Sequence, residues 1–209
     1  MKLLMKNPIR ILLPAFLVIA VIVGIAPYDR ATWLLENMMT AIFAVFLFLQ
    51  QRRRPLSNAS WWLIFAFGTL HIIGAHYTYS LVPYDEWTRM VFGTSLNDML
   101  GWQRNHFDRL VHFCYGLLLF LPMREILIDR AALHGRWASY FTVEFIMASS
   151  LVYELVEWGA AVTFAGDVGM AYLGTQGDIW DAHKDMLLAT VGGLVTWGLL
   201  SLQTEKART

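Results

Sequence analysis

Ionisable side chains recur at helical spacing inside a sequence otherwise made of long apolar runs. One stretch holds His71 and His76. A second reads Arg104-x-x-x-Asp108-x-x-x-His112, with Arg109 inside it. A third is Glu154-x-x-Glu157, and a fourth is Asp178-x-x-Asp181-x-x-x-Asp185, enclosing His183 and Lys184. Residues three or four apart share one side of a helix. Arg104, Asp108 and His112 therefore form one stripe, Glu154 and Glu157 another, and Asp181 with Asp185 a third.

Carboxylates with one imidazole make the donor set that takes a divalent cation, and Asp181, Asp185, Glu154 and His112 are the candidate ligands. His112, oriented by Asp108 or a glutamate, is a candidate acid or base, with Glu154 and Glu157 as further catalytic candidates. Arg104, Arg109 and Lys184 suit a phosphate group, and His71 is a further substrate-binding candidate. The side chains of His112, Glu154, Glu157, Asp181 and Asp185 are expected to converge within roughly 3–6 Å.

Plainer roles fit some of these residues too. Asp178, Asp181 and His183 read equally as solvated helix-start residues, with Asp181 as an N-cap. Arg104 and Asp108 read as an interfacial ion pair, His71 as an interhelical hydrogen bonder, and His76 as solvated. Glu36 reads as a residue that snorkels to the interface. Glu144 reads as a partner for Arg136 or Arg124. The Glu154–Glu157 pair is hardest to explain without a function, because two like charges on one face at membrane depth are costly.

The elements that must carry these groups follow from hydropathy. The chain is 57% hydrophobic, above the roughly 45–50% of soluble domains, and mean hydropathy is +0.48. The excess lies in runs near the ~20 residues that a membrane helix needs. The expected fold is an all-α integral membrane bundle, one polytopic domain over residues 1–209. Its six spans are expected at about 11–26, 32–50, 59–80, 107–123, 137–164 and 182–202. The first run could be a cleaved leader, but Pro27 directly after Gly24-Ile25-Ala26 favours a retained helix. Arg52-Arg53-Arg54-Pro55 ends the second span. Leu81 to Asn105 reads as a polar loop with room for a short interfacial helix around Trp87 to Phe92, and Gly166 to Gly177 reads as a glycine-rich loop. Gly192-Gly193 is expected to permit close helix contact.

A net charge of zero offers no basic excess for nucleic acid. The single Cys114 excludes an intramolecular disulfide and a cysteine-built zinc site, and reads as a small hydrophobe.

Basic residues set the orientation. Lys2, Lys6, Arg10, Arg52, Arg53, Arg54, Arg124, Arg130, Arg136, Lys206 and Arg208, most of the 16 Lys and Arg, fall on one side of six alternating spans. That side is expected to be cytoplasmic, with both termini in the cytoplasm. All four ionisable groups then fall in the outer half of the membrane. Charge at that depth costs about 2.5–3.5 kcal/mol per residue on insertion scales, so such groups should turn inward and pair, or line a wet cavity.

At these residues the chain closely resembles the YjdF-like family of bacterial inner-membrane proteins, a family of unknown function, over essentially its whole length. More distantly, the C-terminal half resembles the VanZ-like membrane family. The matching stretches are Asp108-Arg109-Leu110-Val111-His112-Phe113, Glu154-Leu155-Val156-Glu157, and Asp181-Ala182-His183-Lys184-Asp185 followed by Gly192-Gly193. Glu157 stands where that family commonly has Gln, and Thr190 where it usually has Asn. The resemblance implies a cell inner-membrane location and supplies no reaction.

Three functions follow. The first is a metal-assisted enzyme or binder of lipid or lipid-linked phosphate, with membrane lipid as its surroundings. No H-E-x-x-H, G-x-S-x-G or P-loop accompanies it. The second is a proton- or cation-coupled permease, although the chain lacks the internal repeat of common transporter folds. The third is a non-catalytic membrane scaffold.

Overall fold

The structure, a computed structural model, describes residues 8–164 and 173–206. Lys2, Lys6, Arg208 and the loop expected from Gly166 as far as residue 172 lie outside the described residues. Among the described residues eight helices follow in chain order: α1 (Ile9–Gly24), α2 (Arg30–Arg53), α3 (Asn58–His76), α4 (Tyr84–Phe92), α5 (Leu96–Leu100), α6 (Phe107–Ala131), α7 (Gly135–Phe164) and α8 (Asp181–Lys206). Five of them, α2, α3, α6, α7 and α8, are long and apolar enough to cross a membrane. The apolar α1 has 16 residues, about 24 Å at 1.5 Å per residue. The protein is thus a helical integral membrane protein, and large apolar side chains such as Val21, Val45, Leu151 and Leu187 point outward from it.

Local sequence explains the helix limits. The Asp29 carboxylate caps α2 by accepting from the Thr32 amide at 2.7 Å. The Ser57 hydroxyl caps α3 by accepting from the Ser60 amide at 3.2 Å. α3 ends at His76, short of the expected residue 80, because Thr78 and Tyr79 adopt left-handed backbone angles (φ 52° and 54°), and the Tyr79 amide turns back to donate to the Gly74 carbonyl at 2.8 Å. α6 runs on to Ala131, past the expected 123. Arg124, Glu125, Asp129 and Arg130 end a lipid span, but nothing in them breaks a helix. The stretch expected as a loop holds α4 and α5. Gly93 in the left-handed region ends α4, and Ser95 caps α5.

Paired contacts give the helix directions. Phe16 lies against Gly68 and the Val23 carbonyl bonds His76, so α1 and α3 run parallel. Tyr115 bonds Ser149 and Arg124 bonds Ser139, so α7 runs against α6. Gly116 meets Ala189, and Gly193 lies against Phe120, so α8 runs with α6. The glycine contact expected of Gly192-Gly193 is present: a Cβ on Gly192 would stand 2.1 Å from the Phe113 carbonyl oxygen. Below it Leu119, Phe120, Met123, Val143, Ile146 and Ala189 form an apolar core. Arg124, one of the two partners expected for Glu144, donates to Ser139 at 3.0 Å and to the Gly135 carbonyl.

At one end of the bundle α2 is clasped to α6. Gln50 donates to Asp129 at 3.2 Å and accepts from Arg130 at 2.8 Å, while Arg54 pairs with Asp129 at 2.9 Å. The candidate site lies at the other end.

Candidate functional site

The site is built where α6 and α8 begin and α7 nears its end. α6 and α8 approach backbone to backbone at Gly116 and Ala189. One helical turn away, on the same faces, stand His112 and Asp185. Close backbone packing therefore brings those two side chains together. Asp108, a further turn up α6, completes a trio whose donor atoms all lie within 4.8 Å of one another.

α7 supplies the neighbouring carboxylates. Glu154 Oε1 lies 3.7 Å from His112 Nε2, and Asp108 Oδ1 lies 3.6 Å from the same nitrogen. These separations exceed a hydrogen bond. They suit ligands of one cation, since donors about 2.1 Å from a metal stand about 3–4 Å apart. His112, Glu154, Glu157 and Asp185 are all buried. Two buried oxygens, Glu154 Oε1 and Asp185 Oδ1, have no hydrogen-bond partner among the described residues. A buried polar atom left so costs about 1–3 kcal/mol, and more when charged, so the pair calls for a cation or a proton.

Glu36 belongs to this neighbourhood, which corrects its reading as a snorkelling residue. It is 3% exposed and accepts from the Tyr153 hydroxyl at 3.0 Å. With Asp108, Glu157 and Tyr79 it lines a cavity of about 10 Å³ among the described residues, the space of a single water molecule or monatomic ion. A sequence signal existed: Thr32, Glu36 and Thr40 repeat at i, i+4 on α2, a polar stripe in an apolar helix.

The mouth is a cluster of ion pairs. Arg104 grips Asp181 with both ends of its fork, Nη1 to Oδ1 at 2.8 Å and Nη2 to Oδ2 at 3.1 Å. Arg109 Nη2 also reaches Asp181 Oδ1 at 3.1 Å, and it binds Asp178 Oδ2. Lys184 Nζ lies 2.5 Å from Asp178 Oδ2. Both Asp181 oxygens thus face arginines, and Asp108 rather than Asp181 joins the trio. Asp178 is held well below the usual carboxylate range, chiefly by Lys184 and then by the Trp180 amide. His106, just before α6, accepts from Arg109 at its Nδ1 (3.1 Å). Burial, then Arg109 and Arg104, lower its pKa.

His71 stands apart from the trio. Its ring nitrogens bond Thr40 (2.7 Å) and the Tyr79 hydroxyl, tying α3 to α2 and to the turn that follows α3. His76 is likewise engaged, through Nδ1 at the Val23 carbonyl, 2.6 Å away.

Comparison with known proteins agrees that this is a membrane protein. Inner membrane protein YjdF of Escherichia coli (strain K12) is 37% identical over 179 residues, covering 85% of this chain and 81% of that protein. No solved structure matches. Residues 8–206 match the family described as "Predicted membrane protein (DUF2238)". With nearly the whole sequence inside that match, the chain belongs to the DUF2238 family of membrane proteins.

Proposed function

We propose that this protein binds a divalent cation between Asp108, His112 and Asp185, and uses it to hold or act on a lipid-linked phosphate at the outer face of a bacterial inner membrane. The observation that carries the reading is the pair of buried oxygens, Asp185 Oδ1 and Glu154 Oε1, without hydrogen-bond partners beside the trio. Two or three carboxylates with one imidazole favour manganese, magnesium or zinc over soft metals. Such an ion neutralises phosphate oxygens or lowers the pKa of a bound water. With His112 held as a ligand, Glu154 beside it is the acid or base, and Glu157 extends the carboxylate wall.

The outer location is supported by alternating helix directions and by the basic residues Arg52, Arg53, Arg54, Arg124 and Arg130 at the opposite end of the bundle, which by the positive-inside rule is cytoplasmic. The inner-membrane assignment is supported by the Escherichia coli relative, Inner membrane protein YjdF.

Metal analysis of purified protein tests the reading. Wild-type protein dialysed against manganese should retain about one ion per chain, and Asp185→Asn should lose it at unchanged abundance. Equal retention by both proteins would defeat the proposal.

A second reading, a proton- or cation-coupled permease, is favoured by the cavity at Glu36, Asp108 and Glu157, whose about 10 Å³ admits one ion. It requires pH- or ion-dependent uptake into vesicles that Glu157→Gln abolishes.

A further inference from the structure

Three cations from two separate segments converge on one carboxylate at the mouth. Lys184 Nζ is 2.5 Å from Asp178 Oδ2, Arg109 Nη2 binds the same oxygen, and Arg104 Nη1 stands 3.6 Å from it. The other oxygen, Oδ1, accepts from the Trp180 amide at 3.0 Å. Lys184 and Arg109 thus share a single oxygen, while Arg104, held by Asp181 and by the Thr175 carbonyl at 2.8 Å, stands just beyond hydrogen-bond reach of it. Arg109 Nε, meanwhile, is buried without a hydrogen-bond partner among the described residues. A planar carboxylate matches this donor set poorly. A phosphate, with three terminal oxygens arranged tetrahedrally, can give each cation its own acceptor.

Charge agrees with shape. Arg104, Arg109 and Lys184 carry three positive charges, and Asp178 and Asp181 carry two negative ones, so one positive charge is in excess. With Asp178 turned away the excess becomes two, the complement of a phosphate monoester. Asp181 is buried and held by the arginine fork, whereas Asp178 sits on the short segment before α8. Its neighbours Ile179 and Trp180 are 84% and 57% exposed. A tryptophan at the end of a membrane helix sits at headgroup depth, which is where a lipid phosphate lies.

We infer that Arg104, Arg109 and Lys184 form a phosphate-binding subsite that Asp178 occupies as an internal stand-in, and that an incoming phosphate group enters by displacing the Asp178 carboxylate. The inference rests on the proposed reading for its substrate class and adds the place where the phosphate docks and the residue that competes with it. While Asp178 is seated the subsite is closed, so apparent affinity falls by the fraction of time that it is open.

Calorimetry on the full chain in dodecyl-maltoside micelles, which carry no phosphate, tests this. The probes are dioctanoyl phosphatidic acid, dioctanoylglycerol as its phosphate-free counterpart, and inorganic phosphate. Wild-type protein should bind the phosphatidic acid at least about tenfold more tightly than dioctanoylglycerol, as expected of charged hydrogen bonds. Asp178→Asn should tighten phosphatidic acid binding by about tenfold if the subsite is closed about nine-tenths of the time. Arg109→Gln should weaken it by a similar factor. Tightening for phosphatidic acid alone identifies a lipid headgroup as the ligand, and equal tightening for inorganic phosphate identifies the free ion.

Unchanged or weaker binding by Asp178→Asn would make Asp178 a plain structural ion pair and overturn the inference. Should that variant not fold, equal binding of phosphatidic acid and dioctanoylglycerol by the wild type would overturn it as well. Manganese retention by the same wild-type preparation separates the two proposals. Retained manganese without a phosphate effect defeats the subsite alone, and a phosphate effect without manganese defeats the cation centre alone.

Discussion

Gly116 of α6 and Ala189 of α8 touch backbone to backbone: a Cβ on Gly116 would stand 1.8 Å from the Ala189 carbonyl oxygen. One turn along each helix, His112 faces Asp185 across the same seam. The helix contact and the candidate site are one feature.

Gly116→Ala should therefore separate α6 from α8. Overpacking costs about 1–3 kcal/mol in soluble cores, and here the clash is with backbone, which cannot swing aside. The thermal midpoint in detergent should fall, and retained manganese should fall with it. Gly159→Ala is the contrast. Among the described residues no atom beyond its chain neighbours and its own helix backbone lies within 4 Å of its added Cβ, and replacing a helical glycine by alanine gains about 0.5–1 kcal/mol. A midpoint for Gly116→Ala equal to that of Gly159→Ala would refute the seam as the organiser of the site.

Tyr153→Phe removes the hydroxyl that donates to Glu36 at 3.0 Å. A buried acceptor deprived of a partner costs about 1–3 kcal/mol. Denaturation should show a loss of that order, and Tyr153→Phe combined with Glu36→Leu should recover part of it. A double variant no more stable than Tyr153→Phe alone would count against the pairing.

Two groups at the mouth titrate in separate windows. Asp178 has a folded pKa below its ordinary 3.8, so its stabilisation is complete above about pH 5 and is lost as pH falls through and below 4. His106 has a folded pKa below its ordinary 6.5. Its unfolded form gains a proton first, so stability begins to fall as pH drops below about 6.5. Midpoints measured from pH 8 to pH 3 should decline in both windows. His106→Gln should flatten the upper one, and Asp178→Asn the lower one. A profile that either variant leaves unaltered would contradict the corresponding assignment.

The opposite end offers a control for stability without function. Gln50 is 1% exposed and bridges Asp129 and Arg130. Gln50→Leu leaves both without that partner and should cost about 1–3 kcal/mol. Because the clasp lies at the far end of the bundle, manganese retention per folded chain should not change. If retention fell in proportion to stability, the site residues would need no chemical role to explain their own variants.

Some of this was open to reading from residues in order. The apolar helices follow from local composition, because a bilayer charges each residue for its polarity wherever the rest of the chain goes. The common level of Asp108, His112, Glu154 and Asp185 follows too, since span order and basic-residue bias set depth. Arg52-Arg53-Arg54-Pro55 stops both lipid span and helix, whereas the charges after Met123 stop only the span, and hydropathy does not separate the two cases.

Only the tertiary structure decided which way each stripe faces. Asp108 and not Asp181 joins His112 and Asp185 because the seam at Gly116, Ala189 and Gly192 fixes how α6 and α8 face each other. Glu36, far away in sequence, meets Tyr153 because of how α2 packs. Asp178 is caged because two segments 69 positions apart meet at one mouth. Spans and depth are properties of a helix in lipid, whereas partners are properties of the packing between helices.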